Sequence, residues 1–110
     1  MIVTAWTNGK QTARGASYGL QINATDRDRY FQREWKTITL VLEGQSASVT
    51  INIAKSSFWN KTCRELISAE VGRWLVKNGL VPWLKGHPPK LVLEPFGEAG
   101  HFLLRKPEEK

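Results

Sequence analysis

Short runs of β-branched and aromatic residues, each bounded by turn-forming residues, recur along this chain and most limit what it can fold into. Thr37 to Leu42 and Ala47 to Ile53 are two such runs, and Glu43-Gly44-Gln45-Ser46 joins them in a pattern typical of a β-hairpin. From Tyr18 to Ile22, apolar residues alternate with small or polar ones, which is the period of a half-buried strand. The remaining predicted strands are Ile2 to Trp6, Leu91 to Glu94 and His101 to Leu104.

Two segments carry helix signals instead. Thr25, followed by acidic residues in the first turn, predicts the N-cap of a short helix that ends near Gln32. Thr62-Cys63-Arg64-Glu65 matches the capping box, so a longer helix is predicted to begin there and to stop at Asn78-Gly79. Ser68 could restart this helix after a break, which leaves one bent helix or two pieces.

This element order excludes a doubly wound parallel sheet, because the strands lack regular helical crossovers. The sequence predicts an α+β, mostly β fold: a small open β-barrel, or pseudobarrel, of about six or seven short strands with two helices. A chain of 110 residues, 41% of them hydrophobic, can bury one core. We therefore expect a single domain over residues 1–110, with a polar tail from about residue 105.

The location is predicted to be intracellular. No apolar stretch approaches the roughly 18 residues that a membrane helix needs, and Met1 to Trp6 lack the charged start and cleavage site of a secretion signal. The lone cysteine, Cys63, agrees with a reducing compartment. The sequence thus predicts a cytoplasmic or nucleoid-associated protein with no membrane partner.

Few residues could carry catalysis. The two histidines, His87 and His101, and the lone cysteine cannot complete a zinc site by themselves. Asp26 and Asp28 are two residues apart on the predicted helix and so point to different faces, and no glycine-rich phosphate loop is present. We predict no enzyme activity, no metal and no cofactor, unless the fold assembles a carboxylate cluster.

Positive charge is the stronger functional signal, since the net charge is +6. Two segments combine Lys and Arg with amide and hydroxyl side chains: Asn8 to Arg14, here called the first arm, and Lys55 to Lys61, the second arm. Lys and Arg neutralise phosphates, whereas amides and hydroxyls can reach base edges. The second arm adds Phe58-Trp59, an aromatic pair that could stack on bases or anchor the segment.

These segments, one after the first strand and one between the hairpin and the longer helix, resemble the DNA-clasping arms of B3-like pseudobarrel domains. Such domains occur in plant transcription factors and as recognition domains of restriction endonucleases. The resemblance covers most of the chain by element order and loop chemistry, without a short motif. It implies that an open barrel grips the major groove and cuts nothing. It also implies that Lys10, Gln11, Thr12 and Arg14 form one arm and Lys55, Ser57, Asn60 and Lys61 the other.

The predicted function is therefore non-catalytic binding of duplex DNA by two basic polar loops, with a possible protein partner such as a nuclease. Arg27, Arg29, Trp59 and Lys85 are further predicted contacts. One alternative is a barrel that binds RNA or single strands, on which Tyr18 and Trp59 would stack. Another is a protein-interaction or regulatory module that docks through the Lys85-Gly86-His87-Pro88-Pro89-Lys90 loop and exposed tryptophans.

Overall fold

The computed structural model describes residues 1–8, 18–60, 65–84 and 86–106. Within these ranges the chain forms seven strands and three helices. In order they are β1 (Ile2–Thr7), β2 (Tyr18–Gln21), α1 (Ala24–Tyr30), β3 (Thr37–Leu42), β4 (Ser48–Asn52), α2 (Ser56–Trp59), β5 (Glu65–Ile67), α3 (Ala69–Lys77), β6 (Lys90–Pro95) and β7 (His101–Arg105).

The strands form one sheet in the order β4-β3-β7-β6-β1-β2-β5. Neighbouring strands are antiparallel apart from β3 and β7, which run parallel. The two edge strands, β4 and β5, approach each other, so the sheet curls into a nearly closed barrel. The predicted mostly-β fold with an open barrel of short strands is confirmed.

Alternation along the strands fills the barrel. In β3, Ile38, Leu40 and Leu42 are buried, whereas the residues between them are more accessible. Their counterparts on the other strands join them in one hydrophobic cluster, to which α3 adds Trp74 and Leu75. The inward-facing side chains of alternate strand residues and the apolar face of α3 therefore form one core.

Strand direction assigns each connection to one end of the barrel. The β1–β2 connection, the β3–β4 turn and α3 lie at one end, which we call the upper end. The segments that carry α1 and α2 and the β6–β7 turn lie at the other, the lower end. At the lower end the rings of Phe31 and Phe102 stack with centroids 4.8 Å apart, and Phe58 lies 5.6 Å from Phe31.

The hairpin of β3 and β4 is confirmed almost to the residue. The predicted cap of α1 is wrong: the N-cap is Asn23, whose Oδ1 accepts a hydrogen bond from the amide of Asp26 at 2.8 Å. Asn caps a helix as well as Thr does, and it stands two residues earlier. The helix ends at Tyr30 with Phe31 as its C-cap, close to the predicted end near Gln32.

The predicted start of the longer helix is also wrong. Glu65–Ile67 is strand β5, paired with β2, and α3 begins after Ser68, whose Oγ accepts a hydrogen bond from the amide of Val71. The restart at Ser68 is thus the correct alternative, and the stop at Asn78-Gly79 is confirmed. The unpaired edge of β2 offers residues 65–67 a hydrogen-bonding partner, which overrides the local capping pattern.

Candidate nucleic-acid interface

The two arms belong to connections that meet opposite ends of β2. Thr7 of β1 is paired with Tyr18, so the connection that contains the first arm leaves and re-enters the sheet at the upper end of β2. The connection that contains the second arm enters β5 at Glu65, which is paired with Gln21 at the lower end of β2. At about 3.4 Å per residue, these two points are roughly 10 Å apart.

Several predicted contact residues lie outside the described residues, so nothing is said of their placement. They are Lys10, Gln11, Thr12, Arg14, Lys61 and Lys85.

The described part of the second arm contains a single helical turn, α2, whereas its composition predicts a basic polar loop. Phe58 is fully buried and ties this turn to the core. Lys55 and Ser57 are half-buried, whereas Asn60, the C-cap, is exposed. The arm therefore stands on one apolar anchor and keeps polar groups near solvent.

Trp59 folds back onto the strand that precedes the arm. Its Nε1 donates a hydrogen bond to the carbonyl of Ile53 at 2.9 Å, and its ring meets that of Phe58 edge-on at 5.2 Å between centroids. Of the two roles that the sequence leaves open for this aromatic pair, these contacts are those of an anchor. Trp59 is half-buried, so part of its surface remains accessible.

Arg27 connects α1 to the second arm. Its Nη1 donates to the carbonyls of Phe58 at 3.1 Å and of Asn60 at 2.7 Å, and its Nε donates to the carboxylate of Asp28 at 3.0 Å. The guanidinium carbon lies 5.5 Å from the centroid of the Trp59 ring. Only 7% of Arg27 is exposed, so this predicted contact residue is the one charged side chain among the described residues that is buried.

Two further arginines at the lower end of the barrel are exposed. The guanidinium carbon of Arg29 lies 5.5 Å from the centroid of the Tyr30 ring, and that of Arg33 lies 5.7 Å from the centroid of Trp59. These cation–π contacts favour guanidinium positions over the two rings. Sequence reasoning missed Arg33, for which the only signal was the series of arginines at positions 27, 29 and 33.

A shallow groove of about 260 Å³ lies on the outer face of β1, β2 and β6, beside the lower end of β2. Lys90 supplies its positive charge, and Thr4, Gln21 and Asn23 supply hydroxyl and amide groups. Glu65, paired with Gln21, is the nearby acid. The remaining lining residues are Ile2 and Ile22.

Tyr18 is fully buried and therefore cannot stack on bases, so the single-strand alternative loses one of its two proposed platforms. Burial raises the pKa of its hydroxyl. Its ring packs against Trp83 with centroids 5.7 Å apart.

Among the described residues, no three His, Cys, Asp or Glu side chains are close enough to hold a metal ion. No helix in the described ranges is long and apolar enough to cross a membrane.

Apolar side chains for the protein-docking alternative lie elsewhere. Leu84, beside the proline-rich loop, is 78% exposed, and Phe96, in the β6–β7 turn, is 51% exposed. The tryptophans that this alternative needs on the surface are only partly accessible: Trp6, Trp35 and Trp83 are half-buried.

When the chain is compared with protein families, curated sequences and solved structures, nothing matches it.

Proposed function

We propose that this protein binds duplex DNA without catalysis and holds it between its two basic arms. The observation that carries the proposal is the placement of the arms: the connections that contain them meet opposite ends of the four-residue strand β2. The roughly 10 Å between these points is close to the width of the DNA major groove, about 12 Å. The outer face beside the lower of these points carries the hydroxyl and amide groups of the groove.

Exposed positive charge also supports the proposal. Arg33 lies 5.7 Å from the Trp59 ring of the second arm, Arg29 is exposed on α1, and Lys90 lines the groove. Cations spread over a surface of this kind release counterions from a phosphate backbone, which gives affinity that does not depend on sequence. Amides and hydroxyls close to them can read base edges. The side chain of Gln21 is the described groove residue best suited to that task.

A B3-like identity belongs to this proposal. The element order supports it, because the arms follow the first strand and the central hairpin as they do in that family. The nine-residue helix α3 and a third helix depart from the family's pattern of two short helices. DNA binding would place the protein in the cytoplasm or at the nucleoid, and a partner such as a nuclease would supply any cutting.

The test is a salt titration of binding to a random-sequence duplex and to the matching single strands, from about 50 to 200 mM. We expect the duplex to be preferred. Lys10→Ala and Lys61→Ala should each reduce the slope of log affinity against log salt by about 0.9, the contribution of one phosphate contact. Lys106→Ala is the matched control, because this exposed lysine follows β7, which is separated from β2 by β6 and β1 in the sheet.

Each contrary result has a definite meaning. Unchanged slopes for both arm variants would remove the arms from the interface. A preference for single strands would favour the alternative in which Trp59 stacks on bases. No binding at low salt would refute the proposal and direct attention to Leu84 and Phe96 as a protein-docking surface.

A further inference from the structure

We infer that Arg27 is a positioning residue that fixes the second arm and does not itself contact DNA. This inference rests on the proposed function. It separates Arg27 from Arg29, although the sequence places both among the DNA contacts and only one residue lies between them. Arg27 is buried, whereas Arg29 is exposed.

The hydrogen bonds of Arg27 end on the backbone of the arm itself. Nη1 donates to the carbonyls of Phe58 and Asn60, two residues of the arm, and Asn60 immediately precedes Lys61. Nε binds the carboxylate of Asp28, the acid that faces the guanidinium. With these three acceptors and the Trp59 ring around it, the guanidinium group faces protein rather than solvent.

Arginine suits this task because its planar guanidinium presents donors in several fixed directions. A lysine at position 27 would present one compact ammonium, which cannot reproduce the geometry of the bonds to both carbonyls and to Asp28. The hydrogen bond from Trp59 to the Ile53 carbonyl holds the beginning of the same segment. Residues 53–60 are thus held at both ends, and an arm ordered before binding loses less entropy when DNA arrives.

The consequence is a division of roles around Trp59. Arg27 approaches the Trp59 ring from the buried α1 side, and exposed Arg33 also lies within 6 Å of it, at 5.7 Å. Arg27 would set the position of the arm, whereas the exposed cations would meet phosphate. Substitution of the two kinds of arginine should therefore change different quantities.

The experiment compares Arg27→Lys with Arg29→Lys, which makes the same change at an exposed site, in the full-length protein. Arg27→Gln, which also removes the charge, is added to test for a phosphate contact. Amide hydrogen exchange without DNA measures the order of residues 55–60, including the Phe58 amide that bonds to the Lys55 carbonyl. For Arg27→Lys we expect exchange there to be roughly tenfold faster, with the strands unchanged. Affinity for the random-sequence duplex should fall roughly tenfold at every salt concentration, with the salt slope unchanged. Arg29→Lys should leave the exchange as in the wild type.

Three results would overturn the inference. A salt slope reduced by about 0.9 in Arg27→Gln, with normal exchange of residues 55–60, would mean that Arg27 contacts a phosphate. Faster exchange throughout β3 and β4 in Arg27→Lys would mean that Arg27 supports the core and not the arm. Unchanged exchange and affinity would mean that it supports neither. If the wild type binds no DNA, the proposed function fails, and hydrogen exchange still decides whether Arg27 holds the arm.

Discussion

Gly19 permits the close approach of β2 and β5. Its replacement by alanine should weaken the pairing of these two strands. A Cβ at position 19 would lie 2.5 Å from the carbonyl oxygen of Leu66 and 3.1 Å from Cα of Ile67. Both are backbone atoms, so no side-chain rotation can relieve the contact. Ordinary contacts begin at 3.4 Å, and β5 would therefore have to move away by roughly 1 Å, as overpacked sites do.

The cost follows from what β5 contributes. Overpacking of this kind costs about 1–3 kcal/mol. Complete displacement of β5 would also expose the fully buried side chain of Leu66, worth about 2 kcal/mol. Alanine opposes these effects by about 0.5 kcal/mol, because it reduces the conformational freedom of the unfolded chain. We expect Gly19→Ala to lower the free energy of unfolding by about 2 kcal/mol, which is about 10 °C in melting temperature.

Urea denaturation followed by circular dichroism measures this change. The control is Gly44→Asn in the β3–β4 turn, where a Cβ meets nothing within 4 Å and φ is +85°, a conformation that Asn tolerates. That substitution should cost about 1 kcal/mol, the lower end of the range for a residue other than glycine in this conformation. A Gly19→Ala protein as stable as the wild type would refute the reasoning, since β5 would then not be held close to β2.

Three other substitutions test separate contacts. Burial raises the pKa of Tyr18, so the folded protein holds the phenolic proton more tightly than the unfolded chain, and stability should fall as pH rises above about 10; Tyr18→Phe should remove that part of the fall in urea midpoints measured from about pH 8 to 11. Arg105→Ala breaks a two-bond pair with Glu94, at 3.1 and 3.2 Å, and should lower stability by about 0.5–1 kcal/mol in low-salt denaturation and by less in high salt. Trp74→Phe removes the donor to the Glu43 carbonyl and leaves a cavity at a site that is 1% exposed, so thermal melts should show a loss of about 2–3 kcal/mol.

The sequence predicted correctly those strands whose residues alternate clearly between apolar and polar and whose turn is visible in the sequence. β3 and β4 alternate cleanly over five or six residues and are joined by a turn that contains Gly44, so period and turn chemistry agreed. β5 has only three residues, too few to display a period, and it exists because β2 offers it an edge. Helix α2 is a single turn, which is held by the burial of Phe58 rather than by helix propensity.

The candidate site divides in the same way. Composition identified the second arm and led to Lys55, Ser57 and Asn60, since cations and polar side chains are visible in a sequence. It could not distinguish Arg27 from Arg29, because both lie among acids in one short helix. Only the packing of α1 against α2 buries one of them and exposes the other.

Both features that the sequence did not predict, strand β5 and the burial of Arg27, help to hold the second arm. Its segment is held by the Trp59 hydrogen bond to Ile53 near its beginning, by Arg27 at Phe58 and Asn60, and by the pairing of β5 with β2 where the segment ends. Two of these contacts, those of Arg27 and of β2, join the segment to residues far from it in the sequence. Composition therefore indicates what the arm can bind, whereas such contacts contribute to how much order it has before binding. Since preorganisation governs the entropy lost on association, the affinity of this surface depends on residues that need not touch the ligand.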